Sequence, residues 1–198
     1  MNTKILLFTG ISFLFAACKN SSQSNKVSEL SSKEREIYME KGKQIAAETF
    51  TSLSQQLQKA VKEGGIPNAI QYCNLAALPI TDSLAQKHKA IIRRTSLKTR
   101  NPKNAPTTTE QLVLKEYAEK SAKEMELKPL VKNHDRQTIA FYAPIMVNKF
   151  CLNCHGEAGS TLTIANDQLI KKYYPQDKAT GYINGDFRGM WSIQIAKN

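Results

Sequence analysis

The sequence predicts an α+β domain with an antiparallel sheet behind N-terminal helices. Apolar residues recur at helical spacing from residue 31 into the eighties, and later segments switch to strict alternation. In addition, the polar stretch Asn133-His134-Asp135-Arg136 separates two apolar runs and reads as the turn of a hairpin.

Ser31-x-x-Glu34 has the form of a capping box and starts the first helix. Ala46, Phe50, Leu53, Leu57 and Ala60 follow at alternating spacings of four and three, with Gly42 as a candidate break and Gly64-Gly65 as the end. Pro67 suits the first turn of a second helix. Its stripe runs Ile66, Ile70, Cys73, Ala77, Ile80 and Leu84, with a kink expected at Pro79. Residues 91–98, IIRRTSLK, are rich in strand formers; RNPKNAP then breaks the chain, and residues 107–124 form a third helix carrying Leu112, Leu114, Tyr117 and Ala118. In the hairpin, Ile139, Phe141, Ala143, Ile145 and Val147 alternate along the second strand and predict one buried face. Gly181, Gly185 and Gly189, with Asn184 and Asp186, mark a turn-rich loop. A short helix over 166–173 and a last strand over 188–196, with Trp191, Ile193 and Ile195 on one face, complete the domain. There is no internal repeat.

With 198 residues, 41% hydrophobic and 23% charged, the chain is neither disordered nor a membrane bundle, and it is long enough to bury a core without disulfides. Its four cysteines therefore call for another explanation. Residues 1–17 read as a secretory leader: Lys4 precedes the apolar run Ile5 to Ala17, too short to cross roughly 30 Å of hydrocarbon. The string LFAAC resembles the bacterial lipobox, which makes Cys18 the lipidated first residue of an exported, membrane-anchored protein. Residues 18–30 are polar and serine-rich and form a flexible tether, leaving 31–198 as the domain. A net charge of +11 is usual for nucleic-acid binding, but export argues against that and leaves anionic lipid and acidic proteins as partners.

The chemistry is concentrated in Cys151-Leu152-Asn153-Cys154-His155, the attachment pattern of c-type haem. Two thiols three positions apart can add to the vinyl groups of one haem, which holds His155 against the iron as proximal ligand. A redox dithiol accounts for Cys151 and Cys154 but not for the histidine. A zinc site needs four ligands, and His88 and His134 come singly. Small cytochromes c place a distal methionine well downstream of the motif, whereas here Met190 is the one methionine that follows. With Cys18 assigned to lipid and the motif pair to haem, Cys73 is left over. Packing as a small hydrophobe is its ordinary fate, and His88, on the same stripe, is a rival sixth ligand.

The segments AIQYCNLAA at 69–77, RRTSLKTRNPKNAP at 93–106, APIMVNKFCLNCHG at 143–156 and YPQDKATGYINGDFRGMWS at 174–192 resemble, in matching order, a family of exported monohaem c-type proteins with a PAS-like domain, long catalogued as a domain of unknown function. The resemblance implies a PAS-like fold around one covalent haem, His155 as proximal ligand, Cys73 as distal ligand, and Cys151 with Cys154 as attachment sites. For the family it implies roles in electron transfer and in redox or ligand sensing.

Lys87 to Lys103 holds seven basic residues and no acid, so Arg93, Arg94 or Arg100 could pair with the haem propionates. Alternation puts Arg93 and Arg94 on opposite faces of a strand, and only one of them points inward. Tyr72, Phe141, Tyr142 and Trp191 are candidate haem-lining aromatics. The resulting reading is a lipid-anchored monohaem c-type cytochrome that performs one-electron redox with a partner protein and is not an enzyme. A haem-based gas sensor is the alternative and would need a separate output protein. A peroxidase, the remaining rival, would need an open iron position.

Overall fold

The structure, a computed structural model, describes residues 29–197. The leader over 1–17, Cys18 and nearly all of the tether lie outside the described residues.

One long helical element, α1 (Ser32–His88), opens the fold, and its capping box is formed as expected, with Ser31 and Glu34 bonded reciprocally. It is two helical arms joined at a break. Gly65 has φ 70° and ψ −169°, a conformation essentially restricted to glycine, and Asn68 Nδ2 donates to the Ala60 carbonyl left open by the broken ladder. The backbone dihedrals stay helical through Pro79, and Gly42 does not break the first arm.

Four strands follow: β1 (Ala90–Thr95), β2 (Leu130–Asn133), β3 (Thr138–Met146) and β4 (Phe187–Ala196), in the order β1-β4-β3-β2 with every pair antiparallel. The hairpin is β2 and β3. Between β1 and β2 lies α2 (Thr108–Ala122), started by a second capping box of Thr107 and Glu110. The short α3 (Leu152–His155) and α4 (Ile164–Tyr173) connect β3 to β4.

Both faces of the sheet are buried, not one. Ile92, Val131, Ile139, Phe141, Trp191, Ile193 and Ile195 pack against Tyr38, Ile45, Ala46 and Leu84 of α1. On the opposite face Ala140, Tyr142 and Met190 pack against Val113, Leu114 and Tyr117 of α2. The covering stripe of α2 thus uses Val113, while Leu112 is exposed. Where α1 crosses β3 the approach is close: a Cβ on Gly42 would sit 2.2 Å from Phe141 Cγ. Beyond this crossing the first arm runs on to the break at Gly64-Gly65, and the site lies there.

Candidate functional site

The haem-type motif is held from both ends. Asn148 caps a 3₁₀ turn (Lys149–Cys151): its Oδ1 accepts from Cys151 N at 3.1 Å and from Cys151 Sγ at 3.2 Å. The turn runs directly into α3, which ends at Gly156. A Cβ there would lie 1.9 Å from Thr161 Oγ1, so only glycine lets the chain turn behind His155. A second segment clamps the motif from outside: Tyr182 N donates to the His155 carbonyl and Gly181 N to the Gly156 carbonyl, both at 3.0 Å.

His155 Nδ1 lies 2.7 Å from the Ala179 carbonyl. A carbonyl only accepts, so Nδ1 carries the proton and Nε2 keeps its lone pair. Burial first, then the Arg100 and Arg188 charges, push the His155 pKa well below its ordinary value. The ring is therefore a neutral donor at physiological pH, the form a metal requires.

His155, Cys151, Cys154 and Cys73 all line one cavity of about 330 Å³. Its apolar walls come from both arms of α1, among them Phe50, Leu53 and Ile70, and from Ile145 and Trp191 of the sheet. Burial raises the Cys73 thiol, partly offset by Arg94 and Arg100, and pushes Cys154 up to about 11.

Three arginines, Arg94, Arg100 and Arg188, line this cavity, and among the described residues no Asp or Glu does. Arg94 stands opposite Trp191 across β1 and β4, its guanidinium carbon 5.8 Å from the ring centroid, and makes no hydrogen bond to the described residues. The buried Nε atoms of Arg100 and Arg188 likewise have no partner. Buried cations with unmet donors call for anions. A flat apolar group carrying two carboxylates and thiol-reactive vinyls, such as haem, fits this set of donors. Such a group would take its attachment from Cys151 and Cys154, donors to its iron from His155 and Cys73, and carboxylate partners from Arg94 and Arg188.

The structure separates other candidates from the cavity. Arg93 points to the α2 face, where Nε lies 3.3 Å from Glu110 Oε1 and Nη2 donates to the Ala105 carbonyl at 2.7 Å, so it is not available to a cavity ligand. His88 Nε2 is 2.8 Å from Glu48 Oε2 at the far end of α1. Met190 is fully buried on the opposite sheet face, and His134 is exposed in the hairpin turn. Of the four aromatics only Trp191 lines the cavity: Tyr72 donates to Gln56, and Phe141 and Tyr142 are core. Tyr174 and Arg188 also line it, although the sequence did not point to them. Alternation along β4 would put Arg188 beside Met190, away from the cavity. A β-bulge pairs Ile145 with Gly189 and Met146 with Phe187, skipping Arg188, and this frees it to turn inward.

Residues 24–196 match the model of a family described as Tll0287-like. Among solved structures the chain is similar to that of the cyanobacterial heme-protein Tll0287, at 23% identity over 77% of this chain and 96% of that one, with a TM-score of 0.51. No curated protein matches the sequence.

Proposed function

Because the chain belongs to the Tll0287-like family, we propose that its cavity holds one haem, joined covalently to Cys151 and Cys154 and ligated by His155 and Cys73, and that it serves one-electron redox. The observation that carries this reading is the convergence of the three thiols, the Nδ1-protonated His155 and three incompletely paired arginines on one apolar cavity. The similar cyanobacterial protein is a heme-protein, which supports the same choice of ligand. The chemistry such a group supplies is the exchange of one electron at iron.

The residues divide the work. Ala179 fixes the tautomer and orientation of His155. Cys73 offers a sulfur donor from the other wall; burial raises its thiol, and Arg94 and Arg100 offset part of that rise. Arg94 and Arg188 would compensate carboxylates, while Arg100 is already paired with Asp177. Electron carriage and redox reporting share all of these steps; turnover of a substrate is not part of the reading. Export and lipid anchoring through Cys18 belong to it and are carried by LFAAC and the polar tether. Among the described residues no helix is long and apolar enough to cross a membrane.

Protein made in cells able to mature c-type cytochromes tests the reading. It should retain its pigment in acid acetone, gain the mass of one haem, and cycle with chemical oxidants and reductants without fast peroxide turnover. Pigment that is fully stripped would return Cys151 and Cys154 to a redox dithiol.

A further inference from the structure

Arg100 and Asp177 form a buried pair, with side chains 15% and 3% exposed and Nη2 to Oδ2 at 3.1 Å. Both also hold Ala179, the residue whose carbonyl accepts from His155. Arg100 Nη2 donates to the Cys154 carbonyl at 2.5 Å and reaches the Ala179 carbonyl at 3.3 Å. Asp177 Oδ1 accepts from Ala179 N at 2.8 Å. His155 Nδ1 donates to that same Ala179 carbonyl at 2.7 Å. His155 and Arg100 therefore share one acceptor, and Asp177 anchors its residue.

We propose that Arg100 and Asp177 are positioning residues that set the reduction potential of the site through His155, an inference that rests on the haem reading above. The two charges act in opposite directions. An arginine on the Ala179 carbonyl draws electron density from the acceptor, so His155 Nδ1 gives up less of its proton and the ring is a weaker donor to iron. The guanidinium charge also disfavours the oxidised centre, which carries one more positive charge. Both effects raise the potential. The carboxylate of Asp177 compensates part of that charge and lowers it.

The test is a redox titration of the haem-loaded full chain, in which a reference dye gives up one electron for each iron reduced. Arg100→Gln should lower, and Asp177→Asn should raise, the equilibrium constant for reduction by the dye by about tenfold, ~59 mV for one electron. Asn keeps an acceptor for Ala179 N, and Arg100→Lys keeps the charge, so Lys should stay close to wild type. A merely structural role would loosen His155 in either charge variant and move both potentials the same way. Shifts of one sign, or no shift with the ligand bands of the spectrum intact, overturn the proposal. If Arg100→Gln does not fold, a raised potential in Asp177→Asn beside an unchanged one in Arg100→Lys supports it, and the absence of that difference refutes it. Wild-type chain without covalent haem overturns the function reading as well, which separates the two failures.

Discussion

Replacing Gly42 with alanine tests how α1 is seated above the sheet. The added Cβ would lie 2.2, 2.4 and 2.7 Å from Phe141 Cγ, Cδ2 and Cβ, where ordinary carbon contacts lie at about 3.5–4.0 Å. Phe141 is fully buried in β3, between β2 and β4, so its ring has no room to swing away. The helix must lift by roughly 1.5 Å, the shortfall in that contact distance. Overpacking of this kind costs about 1–3 kcal/mol or more. Alanine in a helix returns about 1 kcal/mol relative to glycine. With contacts this short the steric term lies at the upper end of its range, so the net loss is about 2 kcal/mol, or roughly 4–8 °C in the unfolding midpoint of a domain this size. Urea unfolding at unchanged m-value reads the loss directly. Phe141→Ala removes Cγ and Cδ2, the two nearest atoms, so the double variant should be less destabilised than the sum of the singles. The reasoning would be refuted if Gly42→Ala gained stability or if the two effects simply added. Phe50 lies eight residues, about 12 Å, further along the same arm and lines the cavity, so the lift should also reach the site.

Cys73→Ser should remove the thiolate features of the oxidised spectrum and raise the potential by on the order of 100 mV, because an anionic sulfur donor stabilises ferric iron and axial ligands span ~0.8 V. His88→Ala and Met190→Leu should leave both nearly unchanged, since neither residue reaches the cavity; an effect of His88→Ala without one of Cys73→Ser would reverse the ligand assignment. Glu48 joins the two arms of α1 through Lys87 and His88, and these bonds, Lys87 first, hold its carboxyl below the usual 4.5. Its contribution to stability is present above pH 4.5 and is lost as pH falls through the lowered value, so Glu48→Gln should flatten the acid limb of the stability curve below pH 4.5. An acid limb identical to wild type would show that the contact is dispensable.

Local signals were the ones the sequence stated openly. The Ser31–Glu34 capping box, the Gly64-Gly65 break, the hairpin turn and the five-residue haem-type motif each lie within a few consecutive residues, and each stands where expected. Signals that depend on another element were not legible. Ile91 and Ile92 are both apolar, so the pattern of β1 did not say whether Arg93 or Arg94 faces inward; the register Arg94 to Trp191 and the ion pair of Arg93 with Glu110 decide it. Alternation in β3 implied a solvated second face because nothing in that strand announces α2, and Leu112 beside Val113 left the covering stripe of that helix ambiguous. Arg188 was hidden by its bulge, a feature of the pairing with β3 that no period along β4 can display.

The strand order β1-β4-β3-β2 leaves the two shortest strands on the outside, and this bears on how the molecule behaves at high concentration. An outer strand presents unpaired amides and carbonyls that a second chain could extend into a continuous ribbon. Here β2 is only four residues long, follows Pro129 and carries the exposed Lys132. On the other side, β1 carries adjacent arginines, each committed to a different face. A chain adding to either side would find few partners and meet positive charge, so the long central strands β3 and β4 stay sealed inside a sheet that ends with itself.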